Sequence, residues 1–143
     1  MELTLRVNNE SAELTEALEL FIEENMSGDE FLVCDEAGRD EALAENIKDS
    51  LWTFNAEFIV EHMSTWESMS PREVTEIAKS LREMQEKLCE SANPLVMAMI
   101  EDIEEFIEDA VSADGAGHFL NTYDGEETEF TFEDEVYYVY RVN

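Results

Sequence analysis

The chain has 143 residues, 44% of them hydrophobic, and a formal net charge of -29 at pH 7. There is enough apolar material for a core, so the charge does not imply disorder. That charge repels nucleic acid and anionic membranes, which argues against both as direct ligands and points to basic partners.

"ELTLRV" alternates Leu3, Leu5 and Val7 with polar residues, as a half-buried strand does. "SAELTEALELFIEENM" then switches to a helical period through Leu14, Ala17, Leu18, Phe21 and Ile22. "SGDE" breaks it, and the short apolar "FLVCD" reads as a strand. A long central helix is expected over residues 40–65. One stripe on it is Leu43, Ile47, Leu51, Phe54 and Phe58, and a second is Trp52, Ile59, Met63 and Trp66. The Trp52, Ile59 and Trp66 stripe is a candidate oligomer or partner surface, because aromatic anchors are enriched in interfaces.

The next helix, over 71–90, has a strong start signal: Ser70 as cap, Pro71 in the first turn and Glu73 closing a capping box. Its outer face mixes Arg72, Lys79, Arg82 and Lys87 with Glu76, Glu83 and Glu86 at pairing distances. Asn93 is expected to cap a further helix over 94–113, whose buried stripe is Val96, Ile100, Ile103, Ile107 and Val111. Beyond it the tail reads as sheet, with "GHFLNTYDG" followed by "TEFTF" and "VYYVYRV". The expectation is one α+β domain over 1–143, with about four helices on a small, mostly antiparallel sheet.

Catalytic and metal motifs are missing. His62 lies at the edge of an apolar stripe and reads as structural, while His118 sits among glycines. Neither is spaced with another His or a Cys for metal binding. "DEAGRDE" lacks the ligand alternation of a calcium loop, and no phosphate loop or nucleophile elbow occurs. Cys34 and Cys89 stand alone and read as reduced, buried thiols of a cytoplasmic protein. "MELTLRVNN" has no basic start and no apolar run, so no leader is expected. No metal, cofactor or enzymatic activity is expected. An enzyme using carboxylates would need a few of them in split environments.

The distribution of charge is more informative. No Lys or Arg occurs between Leu88 and Tyr140, and half the basic residues lie on the 71–90 helix. On a helix over 94–113, Glu101, Asp102, Glu104, Glu105, Glu108 and Asp109 would share one face opposite the Ile stripe. Glu16, Glu19 and Glu23 likewise lie opposite Leu14, Leu18 and Phe21. Carboxylates three or four residues apart repeat every ~4.5 to 6 Å of helix rise. The phosphates of a DNA strand advance by about 3.4 Å along its axis, and by more along the strand itself. The two charge lattices are comparable.

In its composition and acidic helix faces the whole chain resembles the nucleic-acid mimics encoded by phages and mobile elements, a class that includes antirestriction and some anti-CRISPR proteins. The tail "GHFLNTYDGEE…YYVYRVN" is also similar to the ends of short phage or prophage proteins. The resemblance implies a stoichiometric inhibitor, monomer or homodimer, in the cytoplasm of a host cell. Its partner would be a basic nucleic-acid-binding protein of restriction-modification or CRISPR defence. A second expectation is an acidic interaction or scaffold protein, of phage or halophilic origin, dimeric through Trp52, Ile59 and Trp66. Glu far outnumbers Asp and the large apolar residues are retained, which weighs against salt adaptation.

Overall fold

The computed structural model describes residues 1–143. Their contacts divide into two units, residues 1–44 with 114–143 and residues 45–113. The alternating segments near both chain ends build the first unit. β1 (Glu2–Arg6), β2 (Glu30–Cys34), β3 (Thr128–Phe132) and β4 (Glu135–Arg141) form one sheet in the order β1-β2-β4-β3. β1 and β2 run parallel, and the other two pairings are antiparallel. The class is α+β, as the periodicities predict.

α1 (Ala12–Asn25) starts where the Ser11 side chain accepts a hydrogen bond from the Leu14 amide, at 3.1 Å. It buries Leu14, Leu18 and Ile22 against Phe31, Val33, Tyr137 and Val139 of the sheet. Burying this many large apolar side chains, at about 1.5–3 kcal/mol each, is the main force holding the helix on the sheet. α2 (Glu36–Asp49) begins beside buried Asp35, whose carboxylate accepts from the amides of Gly38 at 2.7 Å and Asn8 at 2.8 Å. Any side chain at position 38 would run into the Arg6 carbonyl, so the close approach requires glycine. Arg39 of α2 bonds Glu127 at 2.9 Å and the Tyr140 hydroxyl at 3.1 Å, and stacks over Tyr138. Tyr140 in turn donates to Glu127. β3 and β4 join through Glu133 and Asp134, both at positive φ (50° and 65°).

The second unit differs from the sequence expectation in its helix boundaries. The helix expected over 40–65 is broken into α2, a 3-10 turn at Leu51–Thr53 and the short α3 (Ala56–Glu61). Asn55 causes the restart, because its side chain accepts from the Phe58 amide and caps α3. The backbone groups exposed by the break find distant partners. Gln85 donates to the carbonyls of Leu51 and Phe54, at 3.3 and 2.9 Å. Asn93 accepts from the Trp52 amide at 2.8 Å and donates to the Asp49 carbonyl at 2.7 Å. Asn93 is therefore not the cap that its place before Pro94 suggests.

α4 (Pro71–Leu88) carries the predicted capping box, with both of its reciprocal bonds between Ser70 and Glu73. Arg72 pairs with Glu76 along its face, but Arg82 reaches across to Glu57 of α3. The helix expected over 94–113 is also divided, into α5 (Asn93–Met99) and α6 (Ile103–Asp114). "GHFL" falls in the short helix α7 (Ala116–Leu120) instead of in sheet. There are thus more helices than the four expected, because the segments 40–65 and 94–113 are interrupted and the tail adds α7. Ile59, Val60, Leu81, Val96 and Phe106 are among the buried residues of the second unit.

Both cysteines are free, but only Cys34 is buried. Burial pushes its thiol up to about 11, so it stays protonated and unreactive. Cys89 is exposed, contrary to expectation, in a 3-10 turn with φ of 51°. No helix is long and apolar enough to cross a membrane.

Candidate functional site

The acidic stretch after α5 begins off the helix. Ile100 is extended, and the Glu101 amide donates to the His62 carbonyl at 2.9 Å. Asp102 then starts α6, its side chain accepting from the amides of Glu104 at 3.1 Å and Glu105 at 3.2 Å. Only from this point do the acids follow a helical face. Phe106 and Ala110 are buried, while Glu104, Glu105, Glu108 and Asp109 are exposed. The continuous face expected from Glu101 through Asp109 is therefore a helical row of four, preceded by exposed Glu101 on the connection and by Asp102 as a cap. Acids in the first turn face the positive end of the helix dipole, which eases their mutual repulsion there.

Asp109 has a partner. Its carboxylate lies 2.8 Å from Nε2 of His62, whose Nδ1 lies 2.9 Å from the Phe58 carbonyl. Both ring nitrogens face acceptors, and only the doubly protonated ring can donate to both. Burial disfavours the charged ring, but the Phe58 carbonyl, the Asp109 carboxylate and the charge of Glu105 outweigh it and raise His62 above its ordinary value. The ring packs between Phe58 and Phe106, at centroid distances of 4.7 and 5.0 Å. This arrangement matches the structural histidine that the sequence predicts, and a ring with both nitrogens engaged is a poor general base.

Around His62 lies an open depression of about 730 Å³, lined by Glu61, Trp66, Glu67, Glu101, Asp102 and Glu105. Glu61 and Glu67 escape the sequence reading because they lie on separate short elements. The pattern Asp102-x-x-Glu105, which marks a helix start, is legible in the sequence and locates the break before α6. No trio of His, Cys, Asp or Glu is arranged to hold a metal ion.

The other predicted residues fall elsewhere. Glu16, Glu19 and Glu23 are exposed on α1, opposite its buried Leu14, Leu18 and Ile22. They belong to the first unit, and α6 acids from Glu104 to Asp109 to the second. Trp52, Ile59 and Trp66 do not form a stripe, because the expected helix is broken between them. Ile59 is fully buried, Trp52 is half-buried in one 3-10 turn, and Trp66 is 37% exposed in another.

No protein-family model matches this chain, and neither does any curated protein or solved structure.

Proposed function

We propose that this chain is an acidic inhibitor that mimics nucleic acid and occupies the basic DNA- or RNA-binding cleft of a host defence protein. The observation that supports the reading is the state of the carboxylates at the start of α6. Glu101, Glu104 and Glu108 are exposed, and no basic side chain pairs with them. Four of the five arginines, by contrast, pair with acids elsewhere, on α2, α3, α4 and before β3. A surface that keeps its charges unpaired pays in self-repulsion, and regains it when a basic cleft supplies the counter-charges. Binding would release counterions from the cleft as nucleic acid does, and would weaken steeply with salt.

The test is capture of partners from bacterial lysate at low salt, eluted on a salt gradient. One dominant nucleic-acid-binding protein, displaced by added DNA or RNA, is the expected result. A smear of basic proteins that nucleic acid cannot displace argues against mimicry. Against a captured partner, Glu101→Lys, Glu104→Lys and Glu108→Lys together should weaken binding at least about a hundredfold at low salt, given three reversed contacts. The triple variant leaves the Asp109–His62 bond and the Asp102 cap in place, so its fold should be retained. Undiminished inhibition by a folded triple variant rules out this face.

A further inference from the structure

β3 is an edge strand, and we propose that it is a docking site for an extended segment of a partner protein in which basic and apolar residues alternate. In the sheet order β3 has a neighbour on one side only, β4. The two-residue turn at Glu133 and Asp134 makes Phe132 and Glu135 the hydrogen-bonded pair next to it. Antiparallel alternation then turns the backbone groups of Thr128, Phe130 and Phe132 toward β4, and those of Glu129 and Thr131 toward the open edge. Neither Glu129 nor Thr131 makes a backbone bond elsewhere, and both are exposed. Two amides and two carbonyls are thus free to pair with an added strand.

The side chains define the occupant. Phe130 and Phe132 are half-buried on the α1 side of the sheet, where Phe130 packs on Phe21 at 4.8 Å between centroids. Glu129 and Thr131 point to the other side. A strand laid along β3 would place every second residue beside the two Phe rings and the residues between them beside Glu129 and Thr131. Cross-strand neighbours lie about 4.5 to 5.5 Å apart, close enough for a Lys or Arg to pair with Glu129. Glu126, Glu133, Asp134 and Glu135 extend the negative field past both ends of β3, with no Lys or Arg among residues 126–135. The same acids oppose pairing of β3 with a second copy of itself, because like charges across an edge repel. The opposite edge, β1, lacks this single-sign character, since it carries Arg6. The site lies on a different element from the α6 acids and does not depend on the mimicry reading.

The probe is a synthetic peptide of about eight residues, strand length, alternating Lys and Val. It is titrated at low salt into the full-length, isotope-labelled protein. Amide exchange at Glu129 and Thr131 should slow at saturation, with shifts confined to β3, β4 and adjoining residues. N-methylation of alternate peptide amides, in both registers, should weaken binding at least about tenfold in the register that blocks the shared bonds, and a Glu/Val peptide should not bind. Thr131→Pro removes an edge-facing donor without touching the β4 ladder, and should also abolish binding. If that variant misfolds, the methylated peptides still decide. Equal affinity of all methylated peptides, unchanged exchange at Glu129 and Thr131, or shifts centred on α6 would overturn the proposal. The α6 triple Lys variant should bind the peptide at β3 as the parent does, which separates failure of this site from failure of the mimic reading.

Discussion

At the scale of single residues, His62 ties the end of α3 to α6, and its charge sets the strength of the tie. The folded protein holds its ionisation above the ordinary value of 6.5. A raised value means that the bond contributes fully below about pH 6.5 and fades as pH climbs through the folded-state value. Asp109 is 52% exposed at its side chain, so solvent screening limits the contribution. Asp109→Asn should therefore cost about 0.5 kcal/mol near pH 5.5 and almost nothing near pH 9. Denaturation midpoints of variant and parent at the two pH values measure this directly. An equal loss at both would mean that the contact acts by packing and not by charge.

At the scale of elements, local signals were readable and long-range ones were not. The Ser70 capping box, the period of α1, the alternation of β1, β3 and β4 and the short apolar run of β2 are patterns of neighbours in sequence, and each element forms where its pattern predicts. The break before α6 also has a local mark, Asp102-x-x-Glu105, whereas the break after Asp49 draws on distant partners. The segments 40–65 and 94–113 have helical periodicity, but Asn55 and Asp102 offer better caps than continuation offers bonds. The backbone freed at the first break is satisfied by Gln85 and Asn93, more than thirty residues away. No local window contains that pairing, so Asn93 read as a cap and the Trp52, Ile59 and Trp66 stripe read as one surface. Of the candidate site, the acids themselves were legible and the pairing of Asp109 with His62 was not, for the same reason of distance. Gln85→Leu keeps the volume but strands two carbonyls, and should cost about 2 kcal/mol in urea denaturation; a loss below about 0.5 kcal/mol would show that water replaces the amide. The β3–β4 turn holds Glu133 and Asp134 at positive φ, which Asn and Gly tolerate far better. Glu133→Asn combined with Asp134→Gly should raise stability by about 1 kcal/mol. A thermal midpoint that does not rise would mean that the turn is relaxed as it stands.

At the scale of the whole molecule, the charge of -29 must be carried by a core of ordinary size. Its repulsion is least screened at about 10 mM salt, where the Debye length is ~30 Å. The protein should stay folded there, with a thermal midpoint that rises with salt as screening takes effect. Unfolding at low salt would instead mark the acidity as adaptation to a saline environment. The division into two units also has a consequence for the order of folding. Residues 45–113 are continuous in the chain, so the second unit has all its residues before Asp114 is made. The first unit does not: β2 is flanked by β1 and β4, and β4 ends at Arg141. During synthesis from the N-terminus, Phe31 and Val33 await their β4 neighbours until Val139 and Arg141 are made. The segment 45–113 can therefore close before the first unit does, while the β4 side of β2 is still unpaired. Two such chains side by side would carry the same strong negative charge, and that repulsion would oppose pairing of their waiting strands.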